Sequence, residues 1–563
     1  MVDRHVISGE GVIFAADILG QVLESIGRQM FVPLEHQVLK KMRETASFVW
    51  IVLRSDVIPH LDSNGRTGVI FDGVDFQSVR QGEMLELQWR HRYRLAGRRI
   101  FRAREERDEG SINSDGKKSS SHAESDTVAN LSRCANEMSH SNSMLAVTDR
   151  RTAALRKISW RLLPFLFVLY VVAWLDRVNV GFAALQMNAD LKFSDAAFGF
   201  GSGIFFLGYC LFEVPSNLIL ARIGARLWIA RIMITWGLIS AGMMFVRSPS
   251  AFYVLRFLLG SAEAGFFPGV IYYLSLWYPA AQRARAIAAF MTAVPVTGLV
   301  GGPLSGLLLT MNGRCGLAGW QWLFLGEGVP AIVLGVVVLF YLTERPEVAA
   351  WLTPDERESI ISELRTERSG TNPTAITAGL MSPAVWRLGV IFLLAAIGFY
   401  GYSFWSPLVI KSLAGTSDLG VGLITAAIGA VTIFFMLVNS AHSDRTGERP
   451  LHVAGALFLM VVGFAGCALI RTPLLAIIFL ALVPIGHCSA YGPFWALPSR
   501  YLAGNAAAAG TALVVTIANI GGFAGPSLIG FLKQQTGTHV LAFLLLAGFA
   551  GIATWLAIGL RRD

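Results

Sequence analysis

The sequence predicts an all-α membrane protein with twelve transmembrane helices in two six-helix halves, preceded by an extension. Three observations carry that prediction. Hydrophobic residues make up 54% of the chain and charged residues only 15%, where a soluble chain would carry about a quarter charged. Apolar stretches of ~20 residues recur from residue 160 onward, each long enough to cross ~30 Å of hydrocarbon as a helix. One long polar connection divides them six and six.

The expected span cores are 162–182, 198–219, 227–246, 252–276, 286–310 and 322–342 in the first half. In the second they are 388–410, 420–440, 452–470, 474–496, 508–531 and 540–560. The domain reading follows: 1–143 an extension, 144–342 the first half, 343–385 a connecting loop and 386–563 the second half. Within the loop, PDERESIISELRTER opens with Pro354 at a helix N1 position and has its acids early, which predicts a short surface helix.

Charge sets the orientation. Residues 1–143 hold 19 Lys and Arg against 20 Asp and Glu, so the chain's net +9 belongs to the apolar part. With the segment before the first span inside, inner loops and tails hold 19 Lys and Arg and outer loops 6. Both termini are then expected to be cytoplasmic. These charges are scattered between spans and form no patch, so a nucleic-acid partner is not expected. The five cysteines show no CxxC or Cys/His spacing, and no GxSxG or phosphate loop is present. Neither a metal, another cofactor nor enzymatic chemistry is therefore expected. The partners expected are a small solute, protons and the lipid bilayer, with the chain a monomer.

Residues 1–143 contain QWRHRYRLAGRRIFRAREER and then polar GSINSDGKKSSSHAESD, which reads as disordered. No secretory signal pattern opens the chain. Met144 precedes LAVTDRRTAALRKISW, which has the look of a short cytoplasmic start. Two readings stay open: a start codon set too early, or an added cytoplasmic regulatory segment.

The halves repeat. ARIGAR follows the second span and SDRTGER the eighth, with Gly224 and Gly447 223 residues apart; Pro303 and Pro526, in the Gly-rich fifth and eleventh spans, are also 223 apart. Duplicated six-span units with a site between them are a transporter plan.

These loop and Gly-Pro motifs resemble those of the major facilitator superfamily. More narrowly, LDRVNVGFA, LGYCLFEVPSN, LRFLLGSAEAGFFPG, WLFLGEGVPAIVLG, FWSPLVI and GPFWALPSRYLAGNAAAAGTALVVTIANIGGFAGP resemble the anion:cation symporters, which include bacterial tartrate, phthalate, hexuronate and galactonate permeases. The resemblance covers 160–560 almost continuously. It implies the major facilitator fold, a bacterial inner membrane, and proton-coupled uptake of a small organic anion by alternating access. The loop motifs carry over to Arg222, Gly224 and Arg226, and to Asp444, Arg445, Gly447 and Arg449. The first copy has Ala221 where an Asp is common, which puts a latch built on that acid in doubt.

The candidate site rests on charge placed where lipid disfavours it. Asp176 and Arg177 end an apolar run, and each would cost ~2.5–3.5 kcal/mol at the centre of a membrane helix. Arg256 and Glu263 share a face of the fourth span, seven residues and about 10 Å apart. These four are expected to form one charged cluster, each acid having an arginine available as counter-ion. A guanidinium fork matches a carboxylate, so Arg177 is the first choice to hold an anion and Arg256 the second. Asp176 and Glu263 are the candidate proton-coupling acids, since desolvation disfavours a carboxylate's charged form. The resemblance implies the same division of roles; a static buried salt bridge is the competing reading. Further binding candidates are Tyr170 and Tyr209 in the first half and Tyr400, Trp405, Tyr491, Trp495 and Asn519 in the second. His487 is read as a packing residue. Glu213 and Glu327 are expected near span ends, satisfied by backbone or water. A membrane sensor and a drug or metabolite exporter are the rival functions.

Overall fold

The computed structural model describes residues 59–61, 67–69, 120–369, 380–501 and 504–561. Most of the expected extension, including QWRHRYRLAGRRIFRAREER, lies outside the described residues. Within it, Pro59–Leu61 and Thr67–Val69 pair as an antiparallel ladder, Pro59 opposite Val69. The first helix runs Ser120–Asp190. Residues 120–126, expected to be disordered, are therefore helical; no Gly or Pro interrupts the chain from there to Pro164.

From Ala146 onward the chain is one compact unit. Twelve of its helices are long and apolar enough to cross a bilayer: Arg150–Asp190, Asp195–Ile223, Ala225–Phe245, Pro249–Trp277, Arg285–Leu309, Gly319–Tyr341, Pro383–Ala414, Asp418–Thr446, Pro450–Leu469, Pro473–Trp495, Ala509–Thr536 and Val540–Gly559, called spans 1 to 12. Spans 1, 2, 7 and 8 extend well past the expected apolar cores, because polar turns continue their helices at the ends.

The repeat seen in the sequence is a repeat of contacts. Ser194 caps span 2 by accepting from Ala197 N at 3.1 Å, and Ser417, 223 residues on, caps span 8 by accepting from Gly420 N at 3.1 Å. Gly224 and Gly447 end those same helices with φ of +104° and +68°. Span 2 packs on span 11 and span 5 on span 8. A Cβ at Gly199 would meet Pro526 O at 2.6 Å, and one at Gly422 would meet Gly302 O at 2.2 Å. Small residues there let backbones of opposite halves touch. On that face of the molecule Asp195 pairs with Lys533 at 2.7 Å, Gln186 donates to Asp418 at 2.7 Å, and Ala196 N donates to Gln534 at 3.0 Å. The two halves are thus tied together at the ends of spans 1, 2, 8 and 11.

The connecting loop contains the expected helix, Pro354–Ser369. Thr353 and Glu356 form a reciprocal cap at 3.0 and 3.3 Å. The helix docks on the first half through Arg150–Asp355, Arg151–Glu363, Lys157–Glu356 and Arg283–Glu367 ion pairs of 2.6–3.1 Å. Burial opposes ionisation of Glu356, but its hydrogen bonds to Lys157 and Thr353 outweigh that and hold its carboxyl below the ordinary range.

Candidate functional site

Span 1 presents Asp176 and Arg177 side by side, and a helix turns about 100° between neighbours. They consequently serve different partners. Arg177 Nη2 donates to Glu263 Oε1, an ion pair almost wholly removed from solvent. Glu263 closes the first segment of span 4, Pro249–Glu263, and the second segment is Phe266–Trp277. Between them Gly265 sits at φ +87°, where a Cβ would meet Ser216 Oγ at 2.3 Å. Glycine both permits the left-handed turn and leaves room for span 2. The acid therefore stands at a break in its helix, as ligand groups of transporters often do.

Asp176 forms no ion pair among the described residues. Its Oδ1 accepts from Asn179 Nδ2 at 3.0 Å and from Ser240 Oγ of span 3. The 100° turn points Asp176 towards span 3, so the arginine within its reach, Arg256, acts on it through space and not through an ion pair. Arg256 also departs from expectation. It is fully buried, but its Nη2 donates to Ser202 O at 3.2 Å, and its guanidinium lies over Phe205 at 4.9 Å and Phe404 at 5.8 Å. Its face is shared with Glu263, yet Glu263 is taken by Arg177. The four charged groups thus lie within electrostatic reach of one another, with a single direct ion pair, Arg177–Glu263, among them.

Arg177 sits in an aromatic box. Its Cζ is 5.1 Å from the Trp174 ring, 5.2 Å from Tyr209 and 5.5 Å from Phe205, distances at which a ring face attracts a cation. Tyr400, from the second half, faces the same guanidinium and stacks parallel to Trp174 at 6.4 Å. Tyr170 stacks on Phe290 at 4.3 Å and meets Trp174 edge-on. Tyr170, Tyr209 and Tyr400 thus gather at the arginine, together with Trp174, which the sequence reading passed over. Arg177 Nε and Glu263 Oε2 are buried without a hydrogen-bond partner among the described residues.

Of the remaining candidates Tyr491 stays within electrostatic reach of Arg177, Tyr170 and Tyr400, and the others separate. Trp405 is fully buried, donates its Nε1–H to Pro526 O at 3.1 Å and lies edge-on to Phe198 at 5.1 Å. That placement is at the seam of spans 2 and 11, so its expected place on the binding wall is corrected. Tyr491 meets His487 edge-on at 5.1 Å, and Trp495 packs on Phe392 and Phe494. His487 stacks on Phe399 at 4.1 Å. Asn519 is buried in span 11 and shares no hydrogen bond with Arg177 among the described residues. Glu213 and Glu327 are not at span ends: both lie inside helices, 8% and 3% exposed, and Glu327 accepts from Ser305 Oγ at 2.8 Å. Asn179, Ser240 and Ser305 are site residues the sequence reading missed. Asn179 alone had a signal, its i+3 spacing from Asp176.

The two loop motifs close differently. Arg449 bonds Asp444 at 2.5 Å and Ser443 at 3.1 Å within the second copy. In the first copy, Glu344 from the end of span 6 accepts from Ala225 N at 2.5 Å and Arg226 N at 3.2 Å. That carboxylate at the start of span 3 meets the positive end of a helix, in the loop that lacks an acid of its own. Arg222, Gly224, Arg226, Arg445 and Gly447 lie at these turns. A groove of about 420 Å³ between spans 8, 9 and 10 contains His442 and His452 and shares no residue with the arginine site.

Comparison with known proteins agrees with this architecture. The family model described as Major Facilitator Superfamily matches residues 166–526. An Agrobacterium vitis protein bearing the name tartrate transporter is 48% identical over 421 residues, 74% of this chain and 94% of its own. A quinolone resistance transporter of Acinetobacter baumannii is 39% identical over 407 residues, 71% of this chain and 93% of its own. Among solved structures, a bacterial homologue of the human lysosomal transporter Spinster, inward-facing and unoccupied, aligns at TM-score 0.60 and 17% identity over 73% of this chain and 97% of its own. Twelve apolar helices, a duplicated half, a buried ion pair in its interior and these relatives have one conclusion: the chain belongs to the Major Facilitator Superfamily, a multi-pass membrane transporter of small molecules that resembles bacterial organic-anion permeases.

Proposed function

We propose that this transporter takes up a small organic anion together with protons, with Arg177 as the anion-binding group and Glu263 and Asp176 as proton-exchanging acids. The observation that carries the reading is the buried Arg177–Glu263 pair with a donor and an acceptor left over. While Glu263 is ionised it occupies the guanidinium. Once it takes a proton the attraction falls, and the planar fork is free for a substrate carboxylate. Protonation and anion binding then favour each other, as symport requires. Tyr400 is the second half's contribution, and a rocking of the halves would carry it towards or away from the anion. Sugar acids, dicarboxylates and aromatic carboxylates all fit one arginine in an aromatic box. The Agrobacterium vitis relative's name makes tartrate the first probe. The nineteen-to-six charge asymmetry supports cytoplasmic termini, which reporters fused in 312–318 (outside) and 355–368 (inside) would check.

Export is a second reading, favoured by the Acinetobacter baumannii relative's name; a quinolone also carries a carboxylate. Purified protein in liposomes separates these readings. An imposed pH gradient, alkaline inside, should drive tartrate above its equilibrium level. Counterflow without accumulation would leave a facilitator, and binding without movement a sensor. Within the symport reading, Glu263→Gln should keep counterflow and lose accumulation, because a permanently neutral acid cannot complete the empty carrier's proton step.

A further inference from the structure

A second group of buried acids lies outside the Arg177–Glu263 pair. Glu327, well inside span 6, is 3% exposed. Its Oε1 accepts from Ser305 Oγ of span 5 at 2.8 Å, and its Oε2 has no hydrogen-bond partner among the described residues. Asn179 of span 1 faces it. The same carboxamide donates to Asp176 Oδ1 at 3.0 Å, and Ser240 of span 3 donates to that oxygen too. Span 3 meets span 6 beside Glu327 through backbone, Gly328 against Ala241, and brings no charge there. The charged group acting on Glu327 is another acid, Asp176; Asp176 in turn feels Glu263 and Arg256. Neither Asp176 nor Glu327 forms an ion pair among the described residues.

An ionised carboxylate removed from water with neutral partners is uncompensated, and a second anion beside it makes matters worse. A proton resolves both difficulties. A neutral carboxylic acid is also a donor, and Asn179 Oδ1, Asp176 Oδ2 and Glu327 Oε2 are three buried oxygens without a hydrogen-bond partner among the described residues. We propose that Glu327 is a further proton-binding site of the carrier, neutral in this conformation and linked to Asp176 through Asn179. Two like charges so placed oppose each other's presence. Its role in transport rests on the proton-coupled reading above; its protonation does not.

Infrared difference spectroscopy of the full-length reconstituted protein tests this without any substrate. At neutral pH the wild type should show a protonated-carboxyl stretch that Glu327→Gln removes. Ser305→Ala should keep the intensity of that band and move it to higher frequency, since one hydrogen bond to the carboxyl is lost. A spectrum unchanged in Glu327→Gln, or a band unmoved in Ser305→Ala, overturns the proposal. If Glu327→Gln does not survive purification, the Ser305→Ala shift decides. Proton-driven tartrate uptake by the same wild-type sample is measured in parallel. Its failure would sink the symport reading and leave the infrared result to judge Glu327.

Discussion

The two halves share a backbone plan and differ in chemistry. Ser194 and Ser417, Asp195 and Asp418, Gly199 and Gly422, Gly224 and Gly447, and Pro303 and Pro526 all stand 223 residues apart. The caps, the turns and the close glycine contacts recur in both copies. Inside the spans the likeness ends. The first half buries the charged Asp176, Arg177, Glu213, Arg256, Glu263 and Glu327 in its spans; among the described residues the polar groups buried in the second are Ser406, Thr432, Ser443, His487, Ser489, Asn519 and Thr554, none of them charged like an Asp, Glu, Lys or Arg. Contacts that let the halves pack and move are needed twice. A charged site is needed once, because each buried charge costs several kcal/mol and must be matched by partners on its own side. The difference places the buried charges in one half and a neutral interior in the other.

The largest effect should come from breaking the charged side. Arg177→Lys keeps the charge and loses the fork; truncating one partner of a buried charge pair costs ~2–5 kcal/mol, more than tenfold in affinity. Tyr400→Phe, on the neutral wall, removes one hydroxyl at ~1 kcal/mol, a few-fold. Tartrate affinity in liposomes measures both. If Tyr400→Phe proves as damaging as Arg177→Lys, the division of labour between halves is wrong.

The shared backbone plan makes a symmetric prediction of intermediate size. Alanine at Gly199 or at Gly422 must push apart backbones of opposite halves, an overpacking of about 1–3 kcal/mol. Thermal unfolding of the purified variants should show both midpoints lowered by similar amounts. One tolerated and one damaging substitution would mean that the 2–11 and 5–8 seams are not equivalent.

The smallest effect concerns the linker helix, which is docked on the first half through four ion pairs. Glu356 has its carboxyl held below the ordinary glutamate range, so it favours docking above that range and the contribution is lost as pH falls through its lowered value. Hydrogen exchange across 354–369 should be slow at neutral pH and rise below about pH 4. Glu356→Gln should raise it modestly at neutral pH, by less than ~1 kcal/mol for a pair whose lysine is half-exposed, and should weaken the acid response. Exchange that ignores both changes would remove this contact from the docking of the helix.

Much of the fold was legible because lipid writes its demands directly on a sequence. A span needs ~20 apolar residues whatever it packs against, so twelve spans and the six-and-six division could be read. Charge in such a run is conspicuous, which is why Asp176, Arg177, Arg256 and Glu263 stood out. Their partners did not. Whether Glu263 bonds Arg177 or Arg256 is decided by how spans 1 and 4 pack against each other, and spacing along one helix gives no warning of that. Glu327 and Glu213 were misplaced because hydropathy shows where a span runs but not which residue along it is buried by neighbours.

The sequence by itself determined the number of spans, the duplication and the presence of charges of both signs in spans 1 and 4, since these follow from local polarity and from spacing along the chain. Tertiary structure decided who meets whom. It gave Arg177 to Glu263, Asp176 to Ser240 and Asn179, Glu327 to Ser305, and the first loop's missing acid to Glu344. A side chain's direction comes from helix rotation, tilt and breaks, and packing against other helices sets those.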